Sequence, residues 1–117
     1  MAERPRRGDV WWVDCDPSIG AEPTKTRCCV VVSNDFANRH GRTVTVVPTL
    51  AFDSDRAARV YMVDLRPPVS DVLDPRVANA SAPMTYDRAR LKRRAGRVGD
   101  EAMAALDKAL RLHLALE

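Results

Sequence analysis

The side chains best placed to do chemistry in this sequence are cations and one carboxylate, because the usual catalytic groups form no constellation. His40 falls in a loop and His113 beside the apolar stripe of a helix, so the two make no acid–base pair. Cys15, Cys28 and Cys29 show no Cys-x-x-Cys spacing, and two histidines do not complete a four-ligand zinc site. They read as three reduced thiols. There is no Gly-rich phosphate loop and no Gly-x-Ser-x-Gly turn. What remains is a polar loop carrying Glu22 and Lys25, with Arg27 just beyond it, and a basic run of Arg88, Arg90, Lys92, Arg93, Arg94 and Arg97. Lys25 suits a phosphate contact by charge and position. The basic run fits a phosphate backbone, an acidic partner, or simply a solvated strand. Trp11 and Trp12 are neighbours, so in a strand one faces the core and the other a rim, a subunit contact or a stacked base.

These groups need a scaffold, and the composition supports one. The chain has 117 residues, one domain's length, with 45% hydrophobic residues, enough for a core without disulfides or metals. Lysine plus arginine outnumber aspartate plus glutamate by 19 to 16, for a net charge of +3. That excess is compatible with a nucleic-acid partner without requiring one. No apolar run approaches the ~20 residues of a membrane span, and the basic Met1–Arg7 leads into no apolar signal core. A cytoplasmic protein is expected.

Strand signals dominate the first two thirds. Val10–Val13 is a short β-rich run entered through Arg7-Gly8-Asp9. Cys28–Val32 is nearly all apolar and reads as a strand covered on both faces. Thr43–Val47 is β-branched throughout and ends at Pro48. Val60–Val63 is a fourth candidate, and Asp71–Ala82 a loop with one weak strand. Ser33–Arg42 reads as a cap, one helical turn and a loop. Gly99-Asp100 opens an amphipathic helix with Met103, Leu106, Leu110 and Leu114 on one side.

Read in order, the motifs resemble one family. Arg7-Gly8-Asp9-Val10-Trp11 is followed by Asp16-Pro17, Gly20-Ala21-Glu22, Arg27, and Val30-Val31-Val32-Ser33-Asn34-Asp35. Thr43–Pro48, Asp87–Leu91 with Gly96-Arg97-Val98, and Leu106–Leu110 continue the match. Over nearly the whole chain this resembles the MazF/PemK toxins of toxin–antitoxin systems. The resemblance implies a mainly β (α+β) fold, an SH3-like small β-barrel with a C-terminal helix, in a single domain over residues 1–117. It further implies a homodimer, a MazE-like antitoxin partner, and metal-independent cleavage of single-stranded RNA to 2′,3′-cyclic phosphate and 5′-hydroxyl ends, with no cofactor. Arg27, Glu22 and Thr49 are the implied catalytic residues. Asp16, Gly20, Ala21, Lys25 and Asn34 are the implied RNA contacts.

This chain also departs from the family pattern. The family threonine stands two residues after the proline, whereas Thr49 directly follows Pro48. A one-residue shift turns a strand side chain to the other face, unless a bulge restores it. Because Pro48 lacks a ladder donor, a bulge returning the Thr49 hydroxyl toward the phosphate held by Arg27 is expected. Cys28 replaces the usual proline after the arginine, and Ser81-Ala82-Pro83-Met84 replaces a polar Glu-Gln-Ile-Arg stretch. The alternatives are a gyrase-poisoning toxin of the related CcdB type and a binding module that has lost the chemistry.

Overall fold

A computed structural model describes residues 4–15, 26–72 and 74–117. Its strands are β1 (Asp9–Asp14), β2 (Thr26–Val31), β3 (Thr43–Ala51), β4 (Met62–Asp64), β5 (Arg76–Asn79), β6 (Met84–Asp87) and β7 (Leu91–Arg97). Its helices are α1 (Asp35–His40), α2 (Ser54–Ala57) and α3 (Asp100–Leu114), with a single 3-10 turn at Arg88–Arg90.

The apolar run after Arg27 is covered on both sides, as its composition requires. Side chains alternate along β1, β2 and β3, and each face has its own core. Val10, Cys28, Val30 and Val47 pack on one face against Ala102, Met103, Leu106 and Ala109 of α3, with Val63 and Leu65 from the β4 side. Trp11, Val13, Cys29, Val31, Val44 and Val46 pack on the other, closed by Tyr86 and Leu91. The two tryptophans therefore separate, Trp11 buried in the second core and Trp12 partly buried at the margin of the first. Leu106 is fully buried under the sheet, and its truncation to Ala removes about 2–5 kcal/mol of stability.

All strand pairings are antiparallel, in the order β4-β5-β3-β2-β1-β7 with β6 also on β3. The expected barrel is not closed among the described residues. The long β3 gives one edge first to β6, through Thr43–Val46, and then to β5, through Thr49–Ala51. The described path of strands accordingly ends at β4 and β7, and β6 presents a further edge beside β3.

Gly8 turns the chain into β1 with φ +94°, a conformation that L side chains avoid, and its amide donates to the Val31 carbonyl at 2.9 Å. Asp9 then enters the interior with 1% exposure and gathers its own donors. Its carboxylate accepts from the Arg6 amide at 2.9 Å and from Arg97 Nη1 at 2.9 Å, with Arg94 Nε 3.3 Å away. Arg7 forms an ion pair with Asp107, tying this corner to α3.

Elsewhere the elements differ modestly from the sequence reading. The fourth strand is shorter and begins at Met62, the weak strand in the ambiguous stretch is β5, and β6 and α2 are additional. The apolar stripe of α3 outruns the core: Leu106 is buried, whereas Leu114 is half exposed.

Candidate functional site

Antiparallel pairing brings several strand ends to one end of the sheet. These are the C-terminal ends of β1 and β3 and the N-terminal ends of β2, β5 and β7. Arg27 stands there on β2, Arg76 on β5, and Lys92 and Arg93 on β7. The loop joining β1 to β2 springs from the same end.

Arg27 is exposed, paired in register with Val13. By alternation it shares a face with Cys29, and its charge is felt by both Cys29 and Tyr86. Burial pushes the Cys29 thiol up to about 12, against which the Arg27 charge acts weakly. The Tyr86 hydroxyl is likewise pushed up by burial. Neither group is therefore a base at neutral pH, whereas Arg27 has the charge and exposure to meet an anion.

Thr49 corrects an expectation. The bulge that would have turned it toward Arg27 is absent. β3 runs on in regular register, from Cys29↔Pro48 on one edge to Thr49↔Ala78 on the other. Thr49 thus shares the Cys28, Val47 and Ala78 face, opposite the one Arg27 occupies, and Leu50 takes the Arg27 face. Its hydroxyl is buried, donates to the Cys28 carbonyl at 2.7 Å and accepts from Arg76 Nη1 at 3.1 Å. A proline at position 48 costs β3 a donor without disturbing the register, because β2 and β5 hold the strand on both sides.

The other expected contacts divide. Asn34 is exposed, and its side chain caps α1 by accepting from the Ala37 amide at 2.8 Å, so it has a structural task. Glu22, Lys25, Asp16, Gly20 and Ala21 lie outside the residues the structure describes. Much of the basic run is tied into the fold. Arg88 donates to the Asn38 carbonyl, Arg90 Nη1 to the Asp14 carbonyl at 3.3 Å, and Arg94 and Arg97 serve Asp9. Lys92 and Arg93 remain exposed at the sheet end. His40 lies on the Phe36 ring with centroids 4.6 Å apart, and His113 is exposed on α3. Among the described residues, no group of three or more His, Cys, Asp or Glu is placed to hold a metal.

The residue that sequence reasoning missed is Arg76. Its guanidinium lies 5.5 Å from the Trp12 ring centroid, and the Arg93 guanidinium lies 5.8 Å from the same ring. Its only sequence signal is a cation heading a weak strand.

Comparison with known proteins shows the family. The sequence profile of the PemK-like, MazF-like toxins of type II toxin–antitoxin systems matches residues 6–114. The chain belongs to this family. It is 41% identical, over 95% of its length and 97% of the relative's, to "Endoribonuclease MazF9" of Mycobacterium tuberculosis (strain ATCC 25618 / H37Rv). It is 29% identical, over 95% of each chain, to "Endoribonuclease EndoA" of Bacillus subtilis (strain 168). A solved "Endoribonuclease in complex with its cognate antitoxin from Mycobacterial species" superposes with a TM-score of 0.78 at 25% identity, covering 97% of each chain.

In this MazF-like chain the architecture is a sheet backed by α3. The Thr49–Arg76 bond joins β3 to β5 directly after Pro48. No helix among the described residues is long and apolar enough to cross a membrane.

Proposed function

We propose that this protein is the toxin of a type II toxin–antitoxin pair and a sequence-specific endoribonuclease that cleaves single-stranded RNA. The observation that carries this reading is the family match over residues 6–114 together with Arg27, an exposed guanidinium at the end of the sheet.

The chemistry follows from the substrate. RNA carries its own nucleophile, the 2′-hydroxyl, so no metal is needed to generate one. That oxygen attacks the adjacent phosphorus and the bond from phosphorus to the 5′ oxygen breaks, giving a 2′,3′-cyclic phosphate and a 5′-hydroxyl. One proton must leave the 2′ oxygen and one must reach the 5′ oxygen. Arg27 holds the non-bridging oxygens as negative charge grows, since its planar fork matches two phosphate oxygens at once. Glu22 takes the 2′ proton, and solvent water supplies the proton to the departing 5′ oxygen. Asp16, Gly20, Ala21, Lys25 and Asn34 are assigned as further RNA contacts on the family motif. Single strands are preferred because their bases splay apart and their backbone reaches an in-line geometry.

Residues 1–117 act as one domain, and the toxin works in the cytoplasm as a homodimer. A MazE-like antitoxin covers the basic sheet end with an acidic segment that folds on binding. The exposed Arg27, Lys92 and Arg93 support that charge pairing.

The test is purified protein incubated with a long single-stranded RNA, with and without chelator. Cleavage at a short recurring motif, unaffected by chelator, is expected. Intact RNA under all conditions would refute the reading.

A further inference from the structure

Thr49 holds its hydroxyl between a carbonyl and a guanidinium, and this fixes the direction of both bonds. The one hydroxyl proton goes to the Cys28 carbonyl at 2.7 Å, which leaves a lone pair for Arg76 Nη1 at 3.1 Å. On its other side Arg76 Nε lies 2.8 Å from Asp74 Oδ2, without the alignment a hydrogen bond needs. The Trp12 ring, 5.5 Å from the Arg76 guanidinium carbon, supplies an aromatic wall. Arg76 is therefore pre-organised by Thr49, Asp74 and Trp12, with its side chain 20% exposed.

Its donors are nonetheless under-used. Arg66 nearby is a closed pair, its Nε and Nη2 both bonded to Asp64 at 3.1 and 2.8 Å. Arg76 Nη2 has no hydrogen bond among the described residues, and Nε none that is aligned. Nε is held in the ion pair with Asp74, so Nη2 is the donor left for a ligand, beside a second cation, Arg93, near the same ring. Both cations approach one partly buried tryptophan at the sheet end that also carries Arg27; Asp74 balances the charge of Arg76, while Arg93 and Arg27 stand exposed beside it.

We propose that Arg76 is a second RNA-phosphate ligand, binding a backbone phosphate that flanks the scissile one at Arg27, and that Thr49 is the residue that positions it. This inference rests on the ribonuclease reading above. It gives Thr49 a part in RNA binding exercised through Arg76, from the face opposite Arg27.

The test uses the full chain and a defined single-stranded RNA spanning a mapped cleavage site. A second RNA, with one 2′-deoxy nucleotide at the scissile step, binds without being cut. Arg76→Gln is expected to raise KM and the Kd for the uncleavable RNA about tenfold, with kcat little changed. It should also flatten the slope of log affinity against log salt by about 0.7, one phosphate contact on a single strand. Thr49→Val keeps the charge, so it should raise Kd about threefold with the salt slope unchanged, and add nothing in the Arg76→Gln background. Arg76→Lys should restore the slope while leaving part of the Kd defect, because an ammonium lacks the fork. A folded Arg76→Gln protein with wild-type Kd and salt slope would overturn the proposal. Should Arg76→Gln fail to fold, a wild-type Kd for Arg76→Lys would do the same. A wild-type protein that binds the uncleavable RNA with this Arg76 dependence but cuts none would count against the ribonuclease reading while supporting the phosphate contact.

Discussion

The Thr49 hydroxyl donates to the carbonyl of Cys28, the residue next to Arg27, yet it sits on the opposite face of the sheet from the Arg27 side chain. The two residues are close along the backbone and separated by the pleat. A threonine placed one position later would have shared the Arg27 face, where Leu50 now stands. Under the proposed function Arg27 and Glu22 carry the chemistry between them, and a slower ribonuclease than one with a hydroxyl on the Arg27 face is expected.

Asp9 anchors the corner where β1, β7 and the N-terminal turn meet. Replacing it with Ala removes the acceptor of the Arg6 amide and the counter-charge of Arg94 and Arg97. Both arginines are part exposed and regain some hydration, which lowers the cost below that of a fully buried pair. Asp9→Ala should destabilise the fold by about 2–3 kcal/mol, and Asp9→Asn by less. Chemical denaturation measures both.

Gly8→Ala forces a Cβ into a backbone with φ +94°. The nearest atoms to that Cβ are 3.7 Å away, so the penalty is conformational rather than steric. A loss of about 1–2 kcal/mol is expected, visible as a lowered melting temperature with unchanged secondary structure.

Much of this fold was legible in the residue types. The all-apolar stretch after Arg27 demanded cover on both faces, and it has it. The stripe through Met103 and Leu106 specified the docking face of α3. β6 escaped notice because Met84–Asp87 is largely exposed and gains its order from pairing with β3, which no local pattern records. The barrel was over-read, because closure depends on where β3 hands its edge from β6 to β5. At the site, the place of Arg27 at the head of the apolar strand was legible from the sequence. Arg76 was not, since its significance comes from Thr49 and Trp12, distant in sequence and joined only by strand register.

Burial holds the Cys28 and Cys29 thiols protonated beyond their ordinary 9.0, Cys29 up to about 12. Both should resist a thiol reagent in the native protein at neutral pH, while the half-buried Cys15 reacts first. The sign of the stability effect follows. Above pH 9 the unfolded chain releases protons that the native state keeps, so stability falls as pH rises from about 9 toward 12. Labelling followed by peptide mass mapping, and unfolding at stepped alkaline pH, check the two statements.

The central claim is that Arg27 stabilises charge on the scissile phosphate of RNA. Its most direct test compares the wild-type protein with Arg27→Ala on one single-stranded RNA in excess chelator, reading both the rate and the chemistry of the new ends. The account predicts 5′-hydroxyl and 2′,3′-cyclic phosphate ends from the wild type, and a rate lower by a factor of ~10²–10³ in a folded Arg27→Ala protein, the loss expected for one donor to a developing oxyanion. Cleavage by folded Arg27→Ala at the wild-type rate, or 5′-phosphate ends from the wild type, would contradict it.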